Sequence, residues 1–283
     1  MKRPQWITVG LALVLTAGLY AFGSRVPGKK AAAPARAATS SSSEFTIDSI
    51  MLMVRQRLNP EQSSRISGLE NSISRGAVND QRVHLYHQLA RFWGDSMGIF
   101  SPYAWYEAEA ARLENSEKSL TFAAHLFLNN LQESHDQDAR MMKWKALQAK
   151  DLFERSLIIN PGNDSSKVGL GACYLFGNLS ASPMEGIGKI LEVAQRDSTH
   201  VYAQMMLAKG ALISGQLDKA VSRLMTVNRQ QPDNVEALLL LADINEGTGN
   251  KRAAAEWYRK SLAYISRADM KGEIEKRIAD LNR

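Results

Sequence analysis

The chain has 283 residues, 45% of them hydrophobic and 23% charged, with 35 Lys and Arg against 29 Asp and Glu. That length supports a substantial core, while the single cysteine, Cys173, excludes an intrachain disulfide and, lying far from the leader, an N-terminal lipid-modified cysteine. Lys2, Arg3, Arg25, Lys29, Lys30 and Arg36, with no acid before Glu44, account for the whole net charge of +6; the other 29 basic residues match 29 acidic ones, which argues against a basic nucleic-acid-binding domain.

Positions 1–5 form a short basic tail, and Trp6 to Gly23 is an 18-residue run without charge. As a helix it spans about 27 Å, near the hydrocarbon thickness of a bilayer. Trp6 and Tyr20 stand near its ends, where amphipathic rings favour the interface. Two readings follow: a retained single-pass anchor in contact with lipid, or a cleaved signal ending near Ala21-Phe22-Gly23. The basic residues after the segment outnumber those before it, which leans toward a cytoplasmic C-terminal domain, with the periplasmic orientation as the alternative. Residues 24–43 are dominated by Ala, Pro, Ser and Lys, the composition of a disordered linker.

Residues 44–78 read as a leading helical hairpin. Ile47, Ile50, Met51, Val54 and Leu58 make one apolar stripe, Asn59-Pro60 opens the second helix, and Gly76 closes it. From Asn79 to the C-terminus the pattern remains helical. Val83, Tyr86, Leu89, Ala90 and Trp93 mark one helix, and Ser101-Pro102 starts its partner, with Ala104, Ala108 and Ala111 at packing positions. Ala124 and Ala149 mark the following pair. Their separation is 25 residues where Ala208 and Ala220 are 12 apart, so an insertion of 13 falls around Gln132 to Trp144. The next pair carries Leu170-Gly171, Tyr174, Gly186, Ile190 and Val193, and Ser182-Pro183-Met184-Glu185 reads as a capping box.

The last units repeat outright. Leu207-Ala208, Gly215, Ala220 and Leu224 return 34 residues later as Leu241-Ala242, Gly249, Ala254 and Tyr258. Such a period marks stacked helix hairpins, since one hairpin cannot bury its own apolar face. Lys271 to Arg283 keeps Ile274, Ile278 and Leu281 on one stripe, as a capping helix does (269–283). These residues resemble the tetratricopeptide repeat (TPR) family, most clearly at 164–200, 201–234 and 235–268. The resemblance implies an all-α solenoid over 79–283 that binds protein partners along its concave face, through the first helix of each hairpin. Carried over by position, Tyr202, Met205, Lys209 and Leu212 face that groove from one unit. Glu236, Leu239, Asp243 and Glu246 face it from the next. The family's Lys and Asn clamp for a terminal carboxylate is not reproduced, because Asp243 and Glu246 stand where donors are required. A segment with apolar anchors and a basic residue is the expected ligand.

No sequence element supplies catalysis: there is no phosphate-cradling glycine loop, nucleophile elbow or paired-histidine zinc helix. His84 and His87 stand three apart but lack a third ligand at a matching spacing, so no metal is expected. Cys173, flanked by apolar residues, reads as an inert buried thiol. The expected role is a membrane-tethered protein-interaction scaffold, with no cofactor, no enzymatic activity and no nucleic-acid partner. The alternatives are a self-associating structural protein, motivated by the Ile47 to Leu58 stripe, and an accessory subunit that holds an enzyme at the bilayer.

Overall fold

The computed structural model describes residues 45–75, 78–133, 138–179 and 184–283. The expected anchor, the linker, Gly76 and the Ser182-Pro183 pair lie outside the described residues. Among the described residues no helix is long and apolar enough to cross a membrane, and no strand is present.

The chain runs through α1 (Ile47–Arg55), α2 (Pro60–Ser74), α3 (Asn79–Arg91), a π-helical turn (Phe92–Ser96), α4 (Phe100–Glu114), α5 (Glu117–Glu133) and α6 (Ala139–Ile159). It continues with α7 (Asp164–Gly177), α8 (Met184–Arg196), α9 (Val201–Ile213), α10 (Leu217–Gln230), α11 (Val235–Gly247), α12 (Lys251–Leu262) and α13 (Ala268–Leu281). Polar caps start the first helix of successive hairpins. The Asn163 side chain accepts from Ser166 N at 2.9 Å, His200 Nδ1 from Ala203 N at 3.2 Å, and Asn234 Oδ1 from Ala237 N at 3.0 Å. Each takes up a donor that the first helical turn leaves without an intrahelical partner. The turns inside the last two hairpins place Gly215 and Gly249 at φ of 71° and 81°, a left-handed geometry that favours glycine.

The hairpins stack in chain order. Each of α5·α6, α7·α8, α9·α10 and α11·α12 is an intimate pair, and consecutive pairs pack on one another. The repeated small residues lie at these contacts: Ala208, Ala220, Ala242 and Ala254 are all fully buried. At α7·α8 the approach is closer still. A methyl group on Gly171 would stand 2.6 Å from the Gly186 carbonyl oxygen, and one on Gly186 would strike the Gly171 carbonyl in return. The fold is therefore all-helical and TPR-like, with its apolar core running along the stack and a smaller core at the C-terminal end, around Tyr258, Ile274 and Ile278.

Three features differ from the sequence reading. The described part of the insertion near Gln132 to Trp144 lengthens both helices of its hairpin, which the spacing alone does not specify. Helix α5 runs nine residues past Ala124, where α9 runs five past Ala208, and α6 begins ten residues before Ala149, where α10 begins three before Ala220. The added turns are held by packing: Trp144 is buried, with its ring 5.5 Å from that of Phe127. Second, the helix through Trp93 ends in a π-helical turn, where Met97 N donates to Phe92 O at 3.2 Å. Gly94 lies under the Tyr103 ring there, and no periodicity signals it. Third, the stripe on α1 is spent within the chain. Ile50, Met51 and Val54 are buried in the main core, so the stripe offers no face to a second copy. The leading hairpin is further tied down by Glu70, which accepts from Arg55 Nη2 at 2.6 Å and from the Tyr106 hydroxyl at 2.6 Å.

Candidate functional site

A concave cavity of about 870 Å³ opens between the end of α5, α9 and α11, with Met270 from the start of α13 on its margin. Of the groove positions inferred from the repeat pattern, Tyr202, Met205, Lys209, Glu236 and Leu239 line it. They converge because α9 and α11 are equivalent helices one repeat apart, so equivalent faces lie side by side. Leu212, Asp243 and Glu246 are not among its lining residues. Leu212 packs partly buried against the main core.

Asp243 and Glu246 are occupied elsewhere. The Tyr258 hydroxyl donates to Asp243 Oδ1 at 2.5 Å and to Glu246 Oε2 at 2.9 Å, and Arg277 Nε of α13 donates to Glu246 Oε2 at 2.7 Å. Burial, followed by the hydrogen bonds to these two acids, pushes the Tyr258 hydroxyl above its ordinary range. Burial also pushes the Glu246 carboxyl up, but the hydrogen bonds from Tyr258 and Arg277 and the charge of Arg277 outweigh it and hold the group below its usual range. The two acids thus fasten the C-terminal helix. Neither acid lines the cavity, so a counter-charge for a basic ligand residue there has to come from another side chain.

The cavity has an apolar floor and a polar strut across it. Met205 and Met206 are buried, and Val201, Leu239 and Leu240 are partly so. Lys209 Nζ donates to Gln132 Oε1 at 2.7 Å and pairs with Glu236 Oε1 at 2.5 Å, linking α5, α9 and α11. Its one cation is therefore already balanced. Tyr202 stands with its ring 5.6 Å from that of His125, and its hydroxyl is buried without a partner among the described residues. Burial raises that hydroxyl's pKa, and Cys173 raises it further. His125, behind Tyr202, shares a 2.9 Å hydrogen bond with Ser165 Oγ, and burial lowers its pKa from 6.5.

Repeat arithmetic missed Asn129, Gln132, Glu133 and Met270. Gln132 reaches Lys209 only because α5 is longer than its counterparts, so the 25-residue spacing of Ala124 and Ala149 carried that signal. Met270 belongs to the capping segment, whose inward contribution no period describes.

The remaining chemical candidates take structural places. His84 is exposed, and His87 lies 3.0 Å from Glu107 Oε2 and 3.6 Å from Glu114 Oε1, bridging α3 and α4. Among the described residues no three His, Cys, Asp or Glu side chains are placed to share a metal ion. Cys173 is fully buried, and burial raises its thiol pKa well above the usual range, the reverse of a nucleophile's environment.

No protein-family model matches this chain, and no curated protein does. Among solved structures it is similar to residues 41 to the end of MamA from Desulfovibrio magneticus RS-1, at 18% identity and a TM-score of 0.42, covering 65% of this chain and 94% of that one. It is also similar to YrrB, described as a TPR protein with an unusual peptide-binding site, at 15% identity and a TM-score of 0.40, covering 75% of this chain and 97% of that one. The fold assignment rests on the helix packing above, not on these likenesses.

Proposed function

We propose that this protein is a membrane-tethered interaction scaffold whose concave cavity holds an extended segment of a partner protein. The observation that carries the reading is the cavity itself: an apolar floor from two equivalent repeat helices, open to solvent and crossed by one compensated ion pair. Such a surface rewards apolar anchors, and the exposed carboxylate of Glu133 adds one acid to its lining. Met205, Met206 and Met270 add adaptability, since unbranched thioether side chains repack around different shapes. The preferred segment is therefore apolar, with a basic residue placed to meet Glu133.

A photo-crosslinking residue at position 239 in the full chain is expected to capture the partner, and Leu239→Arg to abolish its retention. Equal capture from position 158, where Ile158 is 80% exposed away from the cavity, sinks the assignment. The double change Tyr202→Ala with Met205→Ala is the poorer test, because Met205 is 4% exposed and its loss disturbs packing. The tether belongs to the same proposal and rests on the uncharged run at 6–23, with the charge balance favouring a cytoplasmic domain over a periplasmic one. Alkaline carbonate extraction leaves a retained anchor in the membrane pellet; release into the supernatant removes that part of the proposal.

A further inference from the structure

A second cavity, of about 510 Å³, lies between the loop entering α9 and the exposed face of α10. Its volume falls in the range of small-ligand sites. Lys219, Arg223 and Arg229 line it from α10 together with Ser222 and Thr226, at spacings that put all five on one side of the helix. Ser198 and Thr199 face them from the loop. No acidic, aromatic or large apolar residue is among its lining residues.

The three cations contrast with others in the stack that are paired with carboxylates. Lys167 pairs with Glu192, Lys209 with Glu236, and Arg112 with Asp151. In this cavity the partners are neutral: Lys219 Nζ donates to Gln216 Oε1 at 2.6 Å, Arg223 Nη1 to Gln204 Oε1 at 2.8 Å, and Arg229 Nη2 to Thr226 Oγ1 at 2.8 Å. Among the described residues no carboxylate lies within ion-pair distance of the three. The acid closest along the loop, Asp197, is turned onto its own turn, where Oδ1 accepts from Thr199 N at 2.8 Å and from Thr199 Oγ1 at 2.7 Å. Asp218, beside Lys219, is not a lining residue. The wall is also braced in advance. Gln204, 4% exposed, donates through Nε2 to Ser198 O at 2.7 Å while its Oε1 holds Arg223, so one buried amide ties the loop to α10.

Three like charges gathered without a counter-charge favour an anion, and a doubly charged one with several acceptor oxygens uses guanidinium and ammonium donors best. The hydroxyl and amide lining suits a ligand that is polar beyond its charge. The lack of an aromatic face removes the stacking surface a nucleobase would use. We infer that this cavity binds the phosphate ester of a small polyol, independently of the concave groove.

The test is calorimetric titration of the full chain with inorganic phosphate and with glycerol 3-phosphate, alongside co-sedimentation with phosphatidylcholine vesicles with and without phosphatidic acid. Saturable binding of glycerol 3-phosphate is expected, weakened by about tenfold or more in the exposed double variant Lys219→Gln with Arg229→Gln. Ser222→Glu, which puts a carboxylate among the cations, is expected to abolish binding with the thermal melt unchanged. If the soluble ester binds and vesicles do not, the phosphate is a free one. If only phosphatidic acid vesicles bind, and the same variants lose them, it is a lipid headgroup. Binding that persists in both variants, or no binding by any probe, overturns the site.

Discussion

Helix α7 meets its neighbours where it lacks side chains, whereas α11 to α13 are joined by side chains that reach. In α7, Gly169, Gly171 and Gly177 face Phe153, the Gly186 backbone and Ala146 so closely that a methyl group at any of the three would overlap them. Gly169 and Gly171 inside a helix of 14 residues cost about 1 kcal/mol each relative to alanine. The close contacts they permit offset that cost by dispersion and excluded water. At the C-terminal end the contact is wider, and the space is filled by Tyr258 with the Arg277 guanidinium carbon 5.3 Å from its ring centroid. The first arrangement has no freedom to adjust. The second is adjustable, partly solvated and sensitive to salt and acid. A repeat protein can thus use one period with two kinds of joint: a rigid one in the middle and a compliant one beside the helix that borders its groove.

The largest effect expected is from Gly171→Ala. A methyl 2.6 Å from a backbone oxygen has no flexible side chain to push aside, so a loss of about 2–3 kcal/mol is expected in urea unfolding. Gly188→Ala, at an exposed position of α8 with nothing within 4 Å, is the control and is expected to stabilise by about 1 kcal/mol. Equal effects from the two changes would remove the close-contact account of the α7·α8 joint.

Tyr258→Phe comes next. It keeps the buried ring and removes the donor to Asp243 and Glu246, for an expected loss of about 1–2 kcal/mol, read as a lower thermal midpoint. An unchanged midpoint means the C-terminal joint is held by its apolar contacts alone.

Arg277→Gln is the mildest, at about 0–1 kcal/mol, because its ion pairs are half exposed. Its signature is conditional. The folded-state pKa of Glu246 is depressed, so its contribution is complete above the ordinary value of 4.5 and is lost as pH falls below it. The difference between parent and variant should therefore shrink in acid and in high salt, followed by circular dichroism melts across both series. A difference that grows in acid reverses the sign and rejects the linkage.

The contrast also shows why the groove was only partly legible from the residues. The period of 34 identified α9 and α11 as equivalent, and so aligned Tyr202, Met205, Lys209, Glu236 and Leu239 on one cavity. It carried no information on Asp243 and Glu246, whose partners, Tyr258 and Arg277, lie 12 to 34 residues further along the chain, Arg277 in a helix outside the repeat. The cationic cavity on α10 went unseen because the folded part is neutral in sum, and which cations lack a carboxylate partner is decided across the fold.

Local chemistry written in the chain determined the helices, their caps at Asn59, Asn163 and Asn234, and the recurrence of short side chains that obliges hairpins to stack. Those are near-neighbour or periodic effects, and they can be read without coordinates. Tertiary structure alone decided that the extra residues of α5 and α6 become helix, that Gln132 arrives at Lys209, and that two apparent groove acids fasten α13 instead. Each depends on which side chain across the fold reaches a given charge or donor, a distance that spacing along one strand of sequence does not contain.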